Sequence, residues 1–275
     1  MPRSVRAVLL AVLAVALVAC GGGQDPEQLL ARSPDALEEQ GTVGYDQTIV
    51  VTDDGGEVVL DTRTEGRQDL QRGAARMVMH LGELAGGDTL EVLVDDTIAY
   101  VHSPQLETLV GAQWARFDLT EMAGQLPGFE PGAQEQTGPL GLLRQLRGAA
   151  DDVEELGEEE VRGVRTRHLR VTIDTQRAIE QADEDTRESL RRAVEQLGVP
   201  DRYPMELWLD EDALPRRIVT VTQDDDPTLG STTREMRTEL YDFGEPVDVS
   251  PPDPDQVVDF GELLSQLGSP TDDGA

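Results

Sequence analysis

The sequence predicts an α+β fold built on a large, curved antiparallel sheet with helices packed on one of its faces. Three observations predict it. Apolar and polar residues alternate with period two in about ten or eleven segments of the 275-residue chain. Short turns rich in Asp and Gly join neighbouring segments, as in β-hairpins. Helical periodicity occurs only at the start, the middle and the end of the strand runs.

The composition limits the functions that the chain can have. Its formal net charge is −32, and all 23 basic residues are Arg. Such a surface repels phosphate groups, so nucleic acid is excluded as a partner. Only 4% of the residues are aromatic, so the core must be aliphatic. The absence of Lys fits a GC-rich genome or adaptation to high salt, and both explanations stay open.

The first twenty residues indicate export. Arg3 and Arg6 precede an apolar run of 13 residues, Ala7 to Ala19, which is shorter than the roughly 20 residues of a membrane span. The run has the length of a secretory signal. Cys20 follows it and is the only cysteine, so the chain can form no internal disulfide.

The stretch Leu17-Val18-Ala19-Cys20 resembles the bacterial lipobox. The resemblance implies cleavage before Cys20 and a diacylglycerol on its sulfur. Residues 1–19 are then a lipoprotein signal peptide, and residues 20–28 are the lipidated Cys and a flexible tether. The alternative is an ordinary signal peptide with a chance cysteine.

Residues 29–268 are expected to form one domain, and residues 269–275 a disordered tail. Ser33 and Pro34 suggest that a second short helix begins there, after a first short helical piece. From Thr42 to Ser103, five strands form a meander. Its alternation places eleven side chains on one face: Val43, Tyr45, Ile49, Val51, Leu60, Met77, Met79, Leu81, Leu90, Val92 and Val94.

Helices and further strands follow the meander. An amphipathic helix is predicted from Pro139 to about Ala150, with Leu140, Leu143 and Leu146 on its apolar side. A long acidic helix is predicted over about 175–197. Strands follow it up to about Phe243, and a short helix is expected over 260–267.

No set of residues in the sequence indicates catalysis. His80, His102 and His168 all lie in predicted strands, and no nucleophile elbow or phosphate-binding glycine loop is present. The acidic clusters fall in turns, where solvated charge is the simplest explanation, although calcium binding or glycoside hydrolysis could also use paired carboxylates. We therefore expect no enzyme, no cofactor and no metal.

The aliphatic face of the sheet could be solid core or the wall of a cavity. A cavity would be lined by the eleven strand residues together with Leu140, Leu143 and Leu146, which would cover them from the other side. Met77 and Met79 are flexible and could adapt to an irregular ligand. Composition by itself favours solid core.

Several segments resemble the actinobacterial LppX_LprAFG lipoproteins, which are similar to the LolA-like carriers. They are the lipobox, the strand from Val43, Asp95 to Val101 before Trp114, Val161 to His168, Trp208 to Arg217, and Tyr241 to Gly244 with Val247 and Pro251-Pro252. The resemblance implies a LolA-like half-barrel whose concave face, covered by helices, encloses an apolar cavity for acyl chains.

These observations give two hypotheses. The first is a lipid-anchored protein on the outer face of the cytoplasmic membrane that binds and carries or presents an acylated lipid or glycolipid. An envelope transporter is a candidate partner, and a monomer is expected. The second is a sensor or scaffold lipoprotein whose acidic surface binds another envelope protein.

Overall fold

The structure is a computed structural model that describes residues 25–82, 86–121, 139–182, 187–188, 190–192, 194, 199–226 and 230–261. The predicted signal peptide, Cys20, most of the predicted C-terminal helix and the tail lie outside these residues. None of the described helices is long and apolar enough to cross a membrane.

Strands make up most of the described chain. The helices are α1 (Pro26–Glu39), α2 (Pro104–Val110), α3 (Pro139–Ala149) and α4 (Thr175–Gln181), and a 3₁₀ turn covers Pro254–Gln256. The strands are β1 (Thr42–Thr52), β2 (Val58–Asp69), β3 (Ala75–Leu81), β4 (Thr89–Asp95), β5 (Ile98–His102), β6 (Trp114–Asp118), β7 (Ala150–Val161), β8 (Val164–Asp174), β9 (Arg202–Leu209), β10 (Pro215–Asp226), β11 (Gly230–Tyr241) and β12 (Val257–Asp259).

All twelve strands belong to one large, curved sheet in the order β12-β6-β5-β4-β3-β2-β1-β11-β10-β9-β8-β7. Every pairing is antiparallel except β12 with β6. The chain folds as two meanders that meet where β1 pairs with β11. The predicted antiparallel sheet with a small number of helices is confirmed.

The first helix differs from the prediction. α1 is continuous from its N-cap Asp25, whose side chain accepts a hydrogen bond from the Glu27 amide, and it contains Pro34 in its interior. Proline normally breaks a helix because it lacks an N–H group. Here Leu29, Leu30 and Leu37 are buried, and their burial favours the helix despite the proline.

The predicted long acidic helix begins as expected but is shorter in the described residues. Asp174 caps α4 by accepting a hydrogen bond from the Arg177 amide, and the helix ends at Ala182. The rest of the predicted helix lies partly outside the described residues.

The register places all eleven predicted strand residues on one face of the sheet. Tyr45 lies opposite Gly66, which lies opposite Met77, which in turn lies opposite Val92. Directly opposed residues in antiparallel strands point to the same side. We call this side the inner face and the other side the outer face.

Helices α1 and α3 pack on the inner face. Leu30 and Leu37 of α1 and Leu143 of α3 join one buried cluster with Leu207 and Leu240 of the sheet. The helices contact β7, β8 and β9, so they cover the second meander more than the first.

Two tyrosines lie over glycines on opposite faces. On the inner face, a Cβ atom at Gly66 would lie 2.7 Å from the Tyr45 hydroxyl, so only glycine leaves room for the ring. On the outer face, a Cβ at Gly44 would lie 3.2 Å from the Tyr241 ring. Aromatic rings often cover strand glycines in this way, and both pairs lie beside the junction of β1, β2 and β11.

Ion pairs cover the outer face at the same junction. Arg162 lies 2.8 Å from Glu239 and 3.3 Å from Asp46, and its guanidinium stacks on the Tyr241 ring at 4.2 Å. Arg217 lies 2.8 Å from Glu239. Hydrogen bonds from Arg63 hold the pKa of Asp46 below its usual value.

The segment after β11, residues 242–253, leads to β12 at the far edge of the sheet. The Gly244 amide donates to the Thr42 carbonyl at 3.0 Å, and the Thr42 hydroxyl donates to the Glu245 carbonyl at 2.7 Å. Arg67 binds Asp242 at 2.8 Å. These contacts fasten the segment to the first meander.

Candidate ligand-binding face

The fourteen residues predicted to line a cavity all lie on the inner face or on the helix above it, and none is exposed. Half of them are buried: Val43, Tyr45, Val51, Val94, Leu140, Leu143 and Leu146. The others are half-buried: Ile49, Leu60, Met77, Met79, Leu81, Leu90 and Val92. The two groups differ in position.

The buried group is mostly part of the packed core. Leu140, Leu143 and Leu146 of α3 belong to the same cluster as Val43 and Tyr45, and the cluster continues into β8, β9, β10 and β11. Helix and sheet side chains therefore fill the space between them at this end of the inner face.

The half-buried group lies on the inner face of β1, β2, β3 and β4, where Thr62 separates Ile49 from Leu81. Met79 lies opposite Leu90 and Met77 lies opposite Val92, so the side chains form rows that cross the strands. We call Ile49, Leu60, Met77, Met79, Leu81, Leu90 and Val92 the inner strip. Its side chains retain partial exposure in the described structure.

A small cluster around the predicted Val94 extends the inner strip towards the sheet edge, and the sequence analysis missed its other members. Ala75, Val94 and Ala99 are buried together, and Phe117 and Leu119 pack against them. The register continues the inner face through Ala99 to Phe117. The alternation of Ala115 and Phe117 in the short strand β6 was the available signal.

The inner strip carries no charge. The inner-face positions of β1 and β2 add only Gln47, Thr62, Thr64 and Gln68 to its apolar side chains. Gln47 donates a hydrogen bond to the Thr238 hydroxyl at 3.1 Å, so its amide is partly satisfied within the sheet. A surface of this kind suits a hydrocarbon ligand with a small number of polar atoms.

Both tyrosines of the inner face remain neutral phenols. Burial, with the nearby Tyr241, raises the pKa of Tyr45 to about 12. Burial likewise raises the pKa of Tyr203 above its usual value. The Tyr45 hydroxyl lies 3.7 Å from the Met77 sulfur, so it is in contact with the inner strip.

The only histidine with close carboxylate partners in the described residues lies on the outer face. The His168 ring stacks on Trp208 at 4.0 Å, and its Nε2 lies 2.9 Å from Glu206. Its Nδ1 lies 3.4 Å from Glu159, which also accepts a hydrogen bond from the Trp208 indole at 2.9 Å. Every group has a structural partner here.

Within the described residues, no group of three or more His, Cys, Asp or Glu side chains is placed to hold a metal ion. Some acidic residues of the sequence form ion pairs with Arg, among them Asp95 with Arg72 at 3.8 Å and Asp151 with Arg202 at 3.3 Å. Glu155, for example, accepts hydrogen bonds from Arg167, which lower its pKa although burial acts in the opposite direction.

Comparison with known proteins bears on the fold. No protein-family model matches the chain. An uncharacterized 31.2 kDa protein from the rplA-rplJ intergenic region of Streptomyces griseus is 28% identical over 195 residues, which are 67% of this chain. The match spans 61% of the length of that relative.

Comparison with solved structures finds two mycobacterial proteins. LprF from Mycobacterium bovis superposes with a TM-score of 0.50 at 19% identity, covering 84% of this chain and 99% of LprF. LppX from Mycobacterium tuberculosis gives a TM-score of 0.49 at 17% identity, covering 82% of this chain and all of LppX. The resemblance seen in the sequence is thus confirmed at the level of the fold, and this chain folds as LprF does.

Proposed function

We propose that this protein is a lipid-anchored envelope protein that binds an acylated lipid or glycolipid on its inner face and carries or presents it. The inner strip is the observation that carries the proposal. It is uncharged and half-buried, and it extends over four strands. The fold shared with LprF from Mycobacterium bovis is consistent with it.

Burial of hydrocarbon would supply the binding free energy. Apolar surface that leaves water gains about 25 cal/mol per Å², so acyl chains can bind well without strong headgroup contacts. Met77 and Met79 can change rotamer to follow the shape of a chain. We therefore expect broad selectivity for chain length and weak selectivity for the headgroup.

The lipid content of the purified protein tests the carrier function. The mature chain from residue 20, with Cys20→Ala to remove the anchor, is extracted with solvent and analysed by mass spectrometry. Val92→Trp fills the inner strip and should remove most of the co-purified lipid. Val221→Trp is the matched control because Val221 is 39% exposed on the outer face.

Two outcomes contradict the carrier function. Wild type could carry no lipid and gain no thermal stability from any diacyl or triacyl lipid. Alternatively, Val92→Trp and Val221→Trp could retain the same amount of lipid. Either result would show that the inner strip is not the lipid-binding site.

The proposed anchor has its own test. In the host, Cys20→Ser should remain uncleaved or leave the membrane fraction, because the acyl chains attach through the sulfur. A variant that sediments with membranes as a cleaved band of wild-type size would contradict lipidation at Cys20.

One observation favours the scaffold hypothesis as a second candidate. The edge strand β7 has seven acidic residues among twelve, and in the described residues it pairs only with β8. A partner with a basic extended segment could add to this edge. Replacing Glu158 and Glu160 with Gln should then weaken capture of that partner and leave the lipid content unchanged.

A further inference from the structure

A cleft opens beside the N-terminal helix α1, apart from the inner strip. It has a volume of about 560 Å³ and lies between the first turns of α1, the end of α3 and the start of β7. Its described lining is Glu27, Leu30, Ala31, Leu146, Ala150, Asp151, Asp152 and Val153. The volume is within the range of small-molecule sites, roughly 300–1,000 Å³.

The lining has two chemically distinct parts. Leu30, Leu146 and Val153 supply an aliphatic floor, and the first two are also buried in the core, with 5% and 4% exposure. The carboxylates of Glu27, Asp151 and Asp152 supply the polar part, and no basic side chain is among the described lining residues.

The three carboxylates are not equivalent. Asp151 already forms ion pairs with Arg177 and, at 3.3 Å, with Arg202. Asp152 is 87% exposed and lies 3.9 Å from Arg202, and Glu27 is exposed in the first turn of α1. Glu27 and Asp152 therefore have most of their charge available to a ligand.

We propose that this cleft binds a cationic amphiphile, with the alkyl chain on the Leu30–Leu146–Val153 floor and an ammonium group between Glu27 and Asp152. Charge complementarity selects the headgroup, because an anionic or neutral headgroup gains nothing from two carboxylates. The aliphatic floor requires an alkyl chain on the ligand, because an ammonium group without one has little apolar surface to bury there. The site is separate from the inner strip, and the binding test does not depend on the proposed lipid carriage.

The position of the cleft indicates where such a ligand could come from. Asp25, the N-cap of α1, follows Cys20 by five residues, which span at most about 18 Å when extended. With Cys20 lipidated as proposed, the cleft lies near the bilayer surface. Lipids whose headgroup carries a net positive charge on an amine are therefore the expected class of ligand.

Isothermal titration calorimetry on the mature chain with Cys20→Ala tests the site. Dodecylammonium, below its micelle concentration at neutral pH, is the probe. Ethylammonium supplies the charge without the chain, and dodecyl maltoside supplies the chain without the charge. Only dodecylammonium should bind at this site, because the other two each lack one half of the interaction.

Non-specific attraction to a protein of charge −32 is the main competing explanation. The test variant combines Glu27→Gln with Asp152→Asn, and Asn tolerates the positive φ of 48° at that position. The matched control removes the same charge at the β1–β2 turn with Asp54→Asn and Glu57→Gln. The test variant should bind the probe about tenfold more weakly, and the control within about twofold of wild type.

Filling the cleft gives an independent measurement. Ala31→Trp should abolish binding of dodecylammonium, and Val92→Trp in the inner strip should leave it unchanged. The proposal is overturned if the two charge variants weaken binding equally, or if Val92→Trp weakens it as much as Ala31→Trp does. In the latter case the probe occupies the inner strip.

Discussion

The two meanders share one inner face, yet they use it differently. In the second meander, Leu169, Leu207 and Leu209 have no exposed surface and form the centre of the core. In the first, Met77 and Met79 occupy equivalent inward positions but stay half-buried. Both segments alternate with period two, so the difference comes from what covers them.

Helices α1 and α3 make that difference. They contact β7, β8 and β9, and they close the inner face there. Strand alternation therefore decides which face of the sheet is apolar. The placement of the helices decides which part of that face becomes core. The part that the described helices cover least is where we place the ligand.

The largest expected effect on stability comes from shortening one inward side chain in each meander and comparing the two losses. Leu207→Ala should lower the free energy of unfolding by about 2–5 kcal/mol, because it leaves a cavity in a fully packed site. Met79→Ala should cost only about 1 kcal/mol, because its side chain is half-buried to begin with. Urea unfolding of the lipid-free mature chain measures both.

Equal losses from these two variants would contradict the division of the inner face into a packed half and a more open half. Adding lipid should increase the loss of unfolding free energy caused by Met79→Ala and leave the loss caused by Leu207→Ala unchanged.

An intermediate effect is expected at the boundary between the halves. A Cβ atom at Gly66 would lie 2.7 Å from the Tyr45 hydroxyl and 2.9 Å from the Arg76 carbonyl oxygen. Gly66→Ala should therefore lower the free energy of unfolding by about 1–3 kcal/mol through overpacking. Thermal and urea unfolding measure it.

Gly55→Ala is the control for this substitution. Gly55 lies in the exposed β1–β2 turn, and its closest neighbour would be the end of the Asp53 side chain at 3.3 Å. If both alanine variants are equally stable, the ring of Tyr45 does not need a glycine at position 66. The packing of this ring against β2 is then not close enough to exclude a methyl group.

The smallest effect concerns the ion pairs of the outer face, where Glu239 of β11 binds Arg217 and Arg162. Burial acts to raise the pKa of Glu239, but hydrogen bonds from Arg217 and Arg162 outweigh it and hold the pKa below its usual 4.5. A depressed pKa contributes stability above the unfolded value, and this contribution is lost as the pH falls through the folded value.

The difference in unfolding free energy between wild type and Glu239→Gln measures this contribution. It should be present at neutral pH and shrink as the pH falls below about 4.5. The comparison of two proteins is needed because relief of the overall negative charge changes the stability of both. A difference that does not vary with pH would contradict a role for the Glu239 ion pairs.

The sequence could predict most strands because their signal is local. In the first meander, alternation predicted that all eleven candidate residues share one face, as the register has them. One break in the pattern was misread. Ser33 and Pro34 predicted two helical pieces, and the structure has one, because burial of Leu30 and Leu37 outweighs the loss of one backbone hydrogen bond.

Residue type and a period of two are enough to predict the strand pattern, the inner face, and an acidic surface whose basic residues are all Arg. The pairing of β1 with β11 depends on the tertiary structure, since it joins residues far apart in the chain. The tertiary structure also decided that Leu140, Leu143 and Leu146 pack into the core, whereas Met79 and Leu90 stay half-buried. The cleft beside α1 is likewise a tertiary feature, because Glu27 and Asp152 line one cleft only when α1 packs against β7.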